Sequence, residues 1–253
     1  MAVTLNALAD IPMIEPGDDL VSIIGDSVAS HVGAVATGDV VVIAQKIVSK
    51  AEGRYVLLDR VQVTDAARDL AERIKKDPRR LQVVLSESAG IVAHRPGIVI
   101  AEHRLGFVMA NAGIDESNVD HSAGERLLLL PEDPDRSARE IRQGLEARFG
   151  CRLGVVISDS FGRPWRNGVV GVAIGCAGVE AVRNLVGTHD MFGRQMQVTE
   201  VAVADEIASA ASMLMGQGAE RLPVVHIRGL AAAGNAPASS LIRPKERDMF
   251  RTW

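Results

Sequence analysis

A chain of 253 residues, 47% hydrophobic and 24% charged, can bury a sizeable core in one or two domains, and with only 3% aromatics that core must be built from Val, Ile, Leu and Ala. A net charge of −4 argues against a general nucleic-acid or membrane-surface binder, which needs a basic field, but leaves room for locally basic pockets. Cys151 and Cys176 have neither metal-ligand spacing nor a disulfide framework. No apolar run approaches the roughly 18 residues of a membrane span, and the N-terminus lacks a signal-peptide pattern, so a cytoplasmic protein is expected.

In chain order, Val3 to Leu8 is predicted as a first strand, broken at Ile11-Pro12-Met13-Ile14. The turn Pro16-Gly17-Asp18-Asp19 supplies caps for a helix in which Leu20, Ile23, Ile24 and Val28 keep helical spacing. Val40 to Ala44 is an apolar strand running into Gln45-Lys46-Ile47-Val48-Ser49-Lys50. Lysines at such a strand end either snorkel to solvent or meet phosphates at a crevice. Thr64 caps a helix to about Lys76 with Ala67, Leu70, Ala71 and Ile74 inward. From Leu81 to Ala110 the segments VVLS, GIVAHR, GIVIAEH and GFVMA suggest an antiparallel meander.

The loop Asn111 to Asn118 concentrates oxygen ligands, Asp115 among them, although turn formers alone would also make such a loop. Leu127 to Leu130 is a buried strand, and Pro131 to Asp135 starts a helix to about Phe149. Val155-Val156-Ile157 is a short buried strand ending in Ser158-Asp159-Ser160, and Val172 to Cys176 is another. Thr199 is expected to cap a helix to Met215 that is apolar nearly all round, implying burial or contact with a partner subunit. Its charges are Glu200, Asp205 and Glu206; the last two either occupy one narrow exposed face or are held for a purpose. Gly216 and Gly218 end this helix, Pro223 to Ile227 is a last strand, and the tail to Trp253 is irregular.

Two oxygen donors at a strand end, Asp159 and Ser160, suit a hard cation such as Mg²⁺ or Mn²⁺, and Arg163 and Arg166 just beyond could bind phosphate oxygens. As an isolated pair, Asp159-Ser160 would more often begin a turn or cap a helix. No Gly-x-x-x-x-Gly-Lys-Ser/Thr, Gly-x-Gly-x-x-Gly after a strand, His-Glu-x-x-His or Gly-x-Ser-x-Gly pattern is present. What remains is Asp115, Asp159 and Ser160 with Lys46, Lys50, Arg163 and Arg166. Metal ligands and cations around one crevice are the equipment of phosphoryl transfer.

The segments AQKIVSKAEGR (44 to 54), ANAGIDESNV (110 to 119), LLPEDPDRSAR (129 to 139), SDSFGRPWRNG (158 to 168), VTEVAVADEIASAA (198 to 211) and LIRPKERDMFR (241 to 251) together resemble the coenzyme F420-0:L-glutamate ligase family over essentially the whole chain. The resemblance implies an α+β fold of mixed and antiparallel sheets with flanking helices, as one domain over 1–253 or as two intertwined subdomains. It further implies a GTP-dependent ligase that attaches L-glutamate to the deazaflavin F420-0, extends a γ-linked glutamate tail, and forms an intertwined homodimer. By motif it implies Asp115 and Asp159 as ligands of one divalent ion and Ser160 as ligand of a second, with K⁺ a further candidate. It places GTP against Ile11, Pro12, Met13 and Ile14, against Gln45, Lys46, Lys50 and Asn118, and against Met215, Gly216, Gln217 and Gly218. Gln217 and the triplet Val169-Val170-Gly171 depart from many relatives. The chain resembles the free-standing form, without a fused reductase domain. A nucleotide sensor of the same fold, or an amide ligase with another acceptor, is the alternative.

Overall fold

The computed structural model describes residues 2–122 and 124–250. The elements are β1 (Thr4–Ala7), α1 (Leu20–Val32), β2 (Val40–Ala44), α2 (Gln45–Ala51), β3 (Tyr55–Leu57), α3 (Asp65–Ile74), α4 (Pro78–Ser86), β4 (Ser88–Arg95), β5 (Ile98–His103), β6 (Val108–Ala110), β7 (Arg126–Leu128), α5 (Pro134–Phe149), β8 (Gly154–Arg163), β9 (Arg166–Ala177), β10 (Arg183–Asn184), β11 (Glu200–Val201), α6 (Val203–Met215) and β12 (Val224–Arg228). The α+β expectation holds: mixed and antiparallel open sheets carry helices on their faces. The irregular arm ends in short turns at Ala238–Leu241 and Lys245–Arg247, and positions 251–253 of that prediction lie outside the described residues.

The main sheet has the order β1-β12-β2-β8-β9, with β2 and β8 parallel and every other pair antiparallel. β2 reads VVVIA because both its faces are covered, the usual composition of a central strand. Alternate residues serve opposite cores. Val41, Ile43, Val155 and Ile157 pack under α1 and α5 with Ile24, Val28, Ile141 and Leu145. Val42, Val156 and Val225 face α6, where Val203, Ile207, Ala208 and Ala211 cover them. A second body holds the β4-β5-β6 meander against α3 and α4, with Leu70, Ile74, Leu81, Val84 and Val99 at its centre. The β3–β7 ribbon has a small core of its own, with Leu58, Val83, Leu127 and Leu129 buried together.

Four expectations change. VVLS is the C-terminal half of α4 and not a strand, because Asp77 caps the Arg79 N–H, Pro78 opens the helix, and Leu81 and Val84 share its buried face. The strand at Val155 does not stop at Ser158. It runs on to Arg163 as half of a long hairpin with β9. Lys46 and Lys50 lie on α2, which begins directly after β2, and not on a strand end. Finally, α6 starts at Val203; Thr199 does not cap it, and Glu200 belongs to β11, which pairs with β10. The apolar character of α6 is largely accounted for by its own sheet, since Val203, Ala204, Ile207, Ala208 and Ala211 are buried within the subunit.

β9 is the free edge of the main sheet, and side chains satisfy its outward backbone groups. The Cys176 N–H donates to Asp135 Oδ1 at 2.9 Å, the Ala173 N–H to Asp205 Oδ1 at 2.9 Å, and Ser209 Oγ donates to the Gly171 carbonyl at 2.7 Å. Such contacts need helix backbone close to strand backbone. A Cβ on Gly171 would lie 2.3 Å from the Ala208 carbonyl oxygen, and one on Gly175 would lie 2.3 Å from that of Pro134. Only glycine fits at either place.

Candidate functional site

The parallel pairing of β2 with β8 sets Ala44 opposite Ser158, so both strands deliver their C-terminal residues to one crevice. From β2 the chain enters α2 without a loop, which points Gln45 inward. Its amide donates to Asp115 Oδ2 at 2.7 Å and its carbonyl accepts from Ser49 Oγ at 2.8 Å. Lys46 Nζ lies 2.8 Å from the same Asp115 oxygen. Asp115 is fixed from behind by a two-way backbone bridge to Leu128. The loop from Asn111 that carries it is thus pinned to the fold.

Asp159 sits in the β8 ladder opposite Val172. Burial, and next the charge of Asp115, push its pKa up to about 7 against the opposing pull of Lys46, the Ser160 N–H and Gln45. Two carboxylates, one of them raised in proton affinity by burial and by the other's charge, make with the Ser160 hydroxyl a hard-oxygen set suited to Mg²⁺ or Mn²⁺. A divalent cation would relieve the strain that Lys46 relieves in part. Among the described residues no group of three or more His, Cys, Asp or Glu side chains gathers in a metal-holding arrangement. An ion here would therefore rest on these two carboxylates, the hydroxyl, and oxygens of a bound substrate.

A cavity of about 560 Å³ opens beside this pair, within the range of small-molecule and cofactor sites. Ile11, Pro12, Met13 and Ile14 form one wall, and Met215, Gly216, Gln217 and Gly218 form another. Gln45, Lys46 and Lys50 from α2, Asn118, Asp159 and Ser160 complete the predicted set. Lys50, one helical turn beyond Lys46, is only 7% exposed, and burial lowers its pKa, with Glu15 opposing and Lys46 and Arg126 reinforcing. A buried, underpaired ammonium gains much from an anionic ligand. Asn118, held at a φ of 57°, donates its amide to the Gly218 carbonyl at 3.2 Å and so ties two walls together.

Asp115 stands behind the cavity lining. Arg163 and Arg166 are not brought to the cavity. They face each other at the far end of the β8–β9 hairpin, where Arg163 Nη2 donates to the Asn167 carbonyl at 3.2 Å. Sequence reasoning missed Asp120, Ser212 and Arg221, which also line the cavity. Nothing in their local patterns marks them, because it is the tertiary fold that gathers them.

The F420-0:Gamma-glutamyl ligase family model matches residues 9–229. The chain belongs to this family. It is 45% identical to the coenzyme F420:L-glutamate ligase of Methanopyrus kandleri over 94% of this chain and 93% of that one. It is 42% identical to the protein of that name from Methanothermobacter thermautotrophicus, covering 99% of this chain and all of the relative. With the one from Archaeoglobus fulgidus it shares 39% identity over 99% and 97% of the two chains. In this F420-0 ligase family member, the matched span takes in both walls of the large cavity and the Asp115–Asp159 pair. No helix among the described residues is long and apolar enough to cross a membrane.

Proposed function

We propose that this chain joins L-glutamate to coenzyme F420-0 with the energy of GTP, as a ligase dependent on divalent ions. The observation that carries this reading is a cavity lined by Asp159 and the buried Lys50, with Asp115 paired to Lys46 behind that lining. The names of relatives aligned along nearly their whole length supply the glutamate and F420-0. A carboxylate cannot acylate an amine directly, because its leaving group would be oxide. Transfer of the γ-phosphoryl group to a carboxylate oxygen of F420-0 breaks the bond from phosphorus to the β,γ-bridging oxygen. It yields an acyl phosphate and GDP. The glutamate amine then attacks the acyl carbon, the C–N bond forms, phosphate leaves, and the amine loses a proton.

In this scheme Lys50 and Lys46 hold phosphate oxygens, and the apolar wall Ile11–Ile14 excludes water from the nucleotide. Asp115, Asp159 and Ser160 would hold the divalent ions, which when bound neutralise charge on the phosphates. Arg163 and Arg166 lie outside this subunit's cavity, and the proposal has them meet ligand from the hairpin of a second copy. A homodimer is accordingly part of the proposal. It is supported by large exposed apolar side chains at Trp165 on the hairpin turn and at Met191 and Phe192, 82%, 89% and 87% exposed. The test is mass spectrometry of the products formed from F420-0, GTP, Mn²⁺ and L-glutamate. The expected product has gained glutamyl residues in step with GDP release, and an unchanged precursor from folded, nucleotide-binding protein overturns the reading.

A further inference from the structure

A second cavity, of about 200 Å³, lies against the free edge of β9 and is walled by Phe107, Phe161, Val172 and Ile242. Two charged side chains line it, Asp205 from α6 and Arg243 from the C-terminal arm. Gly106 lets that arm close down, since a Cβ there would be 3.1 Å from Ile242 Cδ1. Asp205 is more than an edge cap. Its Oδ1 accepts the Ala173 N–H, while Oδ2 has no hydrogen-bond or ion-pair partner among the described residues. Arg243 likewise has no such partner among the described residues. An apolar chamber with one unpaired negative and one unpaired positive group matches a small zwitterion. Its volume lies below the about 300–1,000 Å³ of drug-sized sites, which excludes a nucleotide, and a single cation is poor equipment for a triphosphate.

The position relative to the large cavity is also informative. Val172 and Ala173, which line the small cavity, are the register partners of Asp159 and Ser158, which line the large one, so one strand spacing of about 4.8 Å separates those walls. Along α6, Asp205 of the small cavity and Ser212 of the large one are two helical turns apart, about 10 Å at the helical rise. We propose that the small cavity is the subsite for the amino-acid co-substrate, with Asp205 Oδ2 receiving the ammonium of L-glutamate and Arg243 a carboxylate; this rests on the ligase reading above. Burial raises the pKa of Asp205, with only the Ala173 N–H opposing, so a cationic ligand would supply the counter-charge that the chain does not.

Asp205→Asn keeps an oxygen for the Ala173 N–H and removes the charge, and Arg243→Gln alters the exposed arm without touching the sheet. Each should raise KM for L-glutamate about tenfold or more, the scale of one charge-assisted hydrogen bond, while KM for GTP and the melting temperature stay near wild type. A KM for glutamate within about twofold of wild type in Arg243→Gln and in folded Asp205→Asn overturns the subsite and leaves the ligase reading intact. If the wild-type chain forms no glutamylated product, the ligase reading itself fails. Equilibrium dialysis of radiolabelled L-glutamate then decides the subsite: saturable binding that both substitutions abolish supports it, and no binding to the wild type overturns it.

Discussion

Replacing Asp159 with Asn separates what the site costs the fold from what it does. In the ion-free protein Asp159 holds its proton up to about pH 7, whereas in the unfolded chain it loses it near 3.8. Between these values the native state binds more protons than the unfolded one, so stability falls as pH rises from about 4 to about 7. A shift of about three units at about 1.36 kcal/mol each sets a ceiling near 4 kcal/mol. By surface area the residue is only partly buried, and water in the cavity softens the penalty, so about 2 kcal/mol is expected. Asp159→Asn should therefore be more stable than wild type at pH 8 in EDTA, by about 4–8 °C in Tm for a chain of this size. Near pH 4 the difference should vanish. Mn²⁺ should then stabilise the wild type and leave the variant nearly unmoved, and ligase turnover in the variant should fall by about a hundredfold or more. Urea melts at the two pH values, with and without Mn²⁺, measure all of this. A variant no more stable than wild type at pH 8 without ions would show that burial and the charge of Asp115 do not raise the pKa of Asp159.

Lys50→Ala should weaken GDP–Mn²⁺ binding by about 1.5–3 kcal/mol in calorimetric titration, and a loss under about 0.5 kcal/mol would mean that its ammonium meets no phosphate. Gly175→Ala drives a methyl into the Pro134 carbonyl and should lower stability by about 1–3 kcal/mol or more, read as a lower urea midpoint with an unchanged slope. Light scattering should give about twice 26.9 kDa at low micromolar concentration and in about 0.5 M salt, since screening barely touches apolar burial. Phe192→Asp should shift that mass toward the monomer; a fully active wild-type monomer at micromolar concentration would contradict the assembly.

Local chemistry made much of the fold legible. Asp19 and Thr64 were readable as caps because each sits one residue before a helical stripe and accepts backbone N–H groups there. The misread segment at Val83 to Ser86 shows the limit. Its β-branched pair suggests a strand, but Asp77 and Pro78 upstream had already committed the chain to a helix. At Asp159 the polar residues looked like the end of a strand, yet the ladder continues because one face of it opens on the cavity. Carboxylates and lysines near the site could be picked out by charge. Ile11 to Ile14 and Met215 to Gly218 could not, since an apolar tetrapeptide and a glycine turn carry no chemical label. Resemblance alone pointed to them.

The order of the main sheet also governs how the chain can be built. β2 is flanked by β8 on one side and by β12 on the other, and Asp39 at its base is bonded to His226, 187 residues further on. At ribosomal speeds of about 5–20 residues per second, roughly ten to forty seconds pass between the synthesis of those two residues. Throughout that interval the nascent VVVIA strand lacks at least one hydrogen-bonding neighbour, and both until β8 is made, leaving an apolar edge open to any passing strand. Synthesis of this enzyme should therefore depend on chaperone cover, more steeply at higher temperature and expression level, and the zipper closes only when β12 emerges.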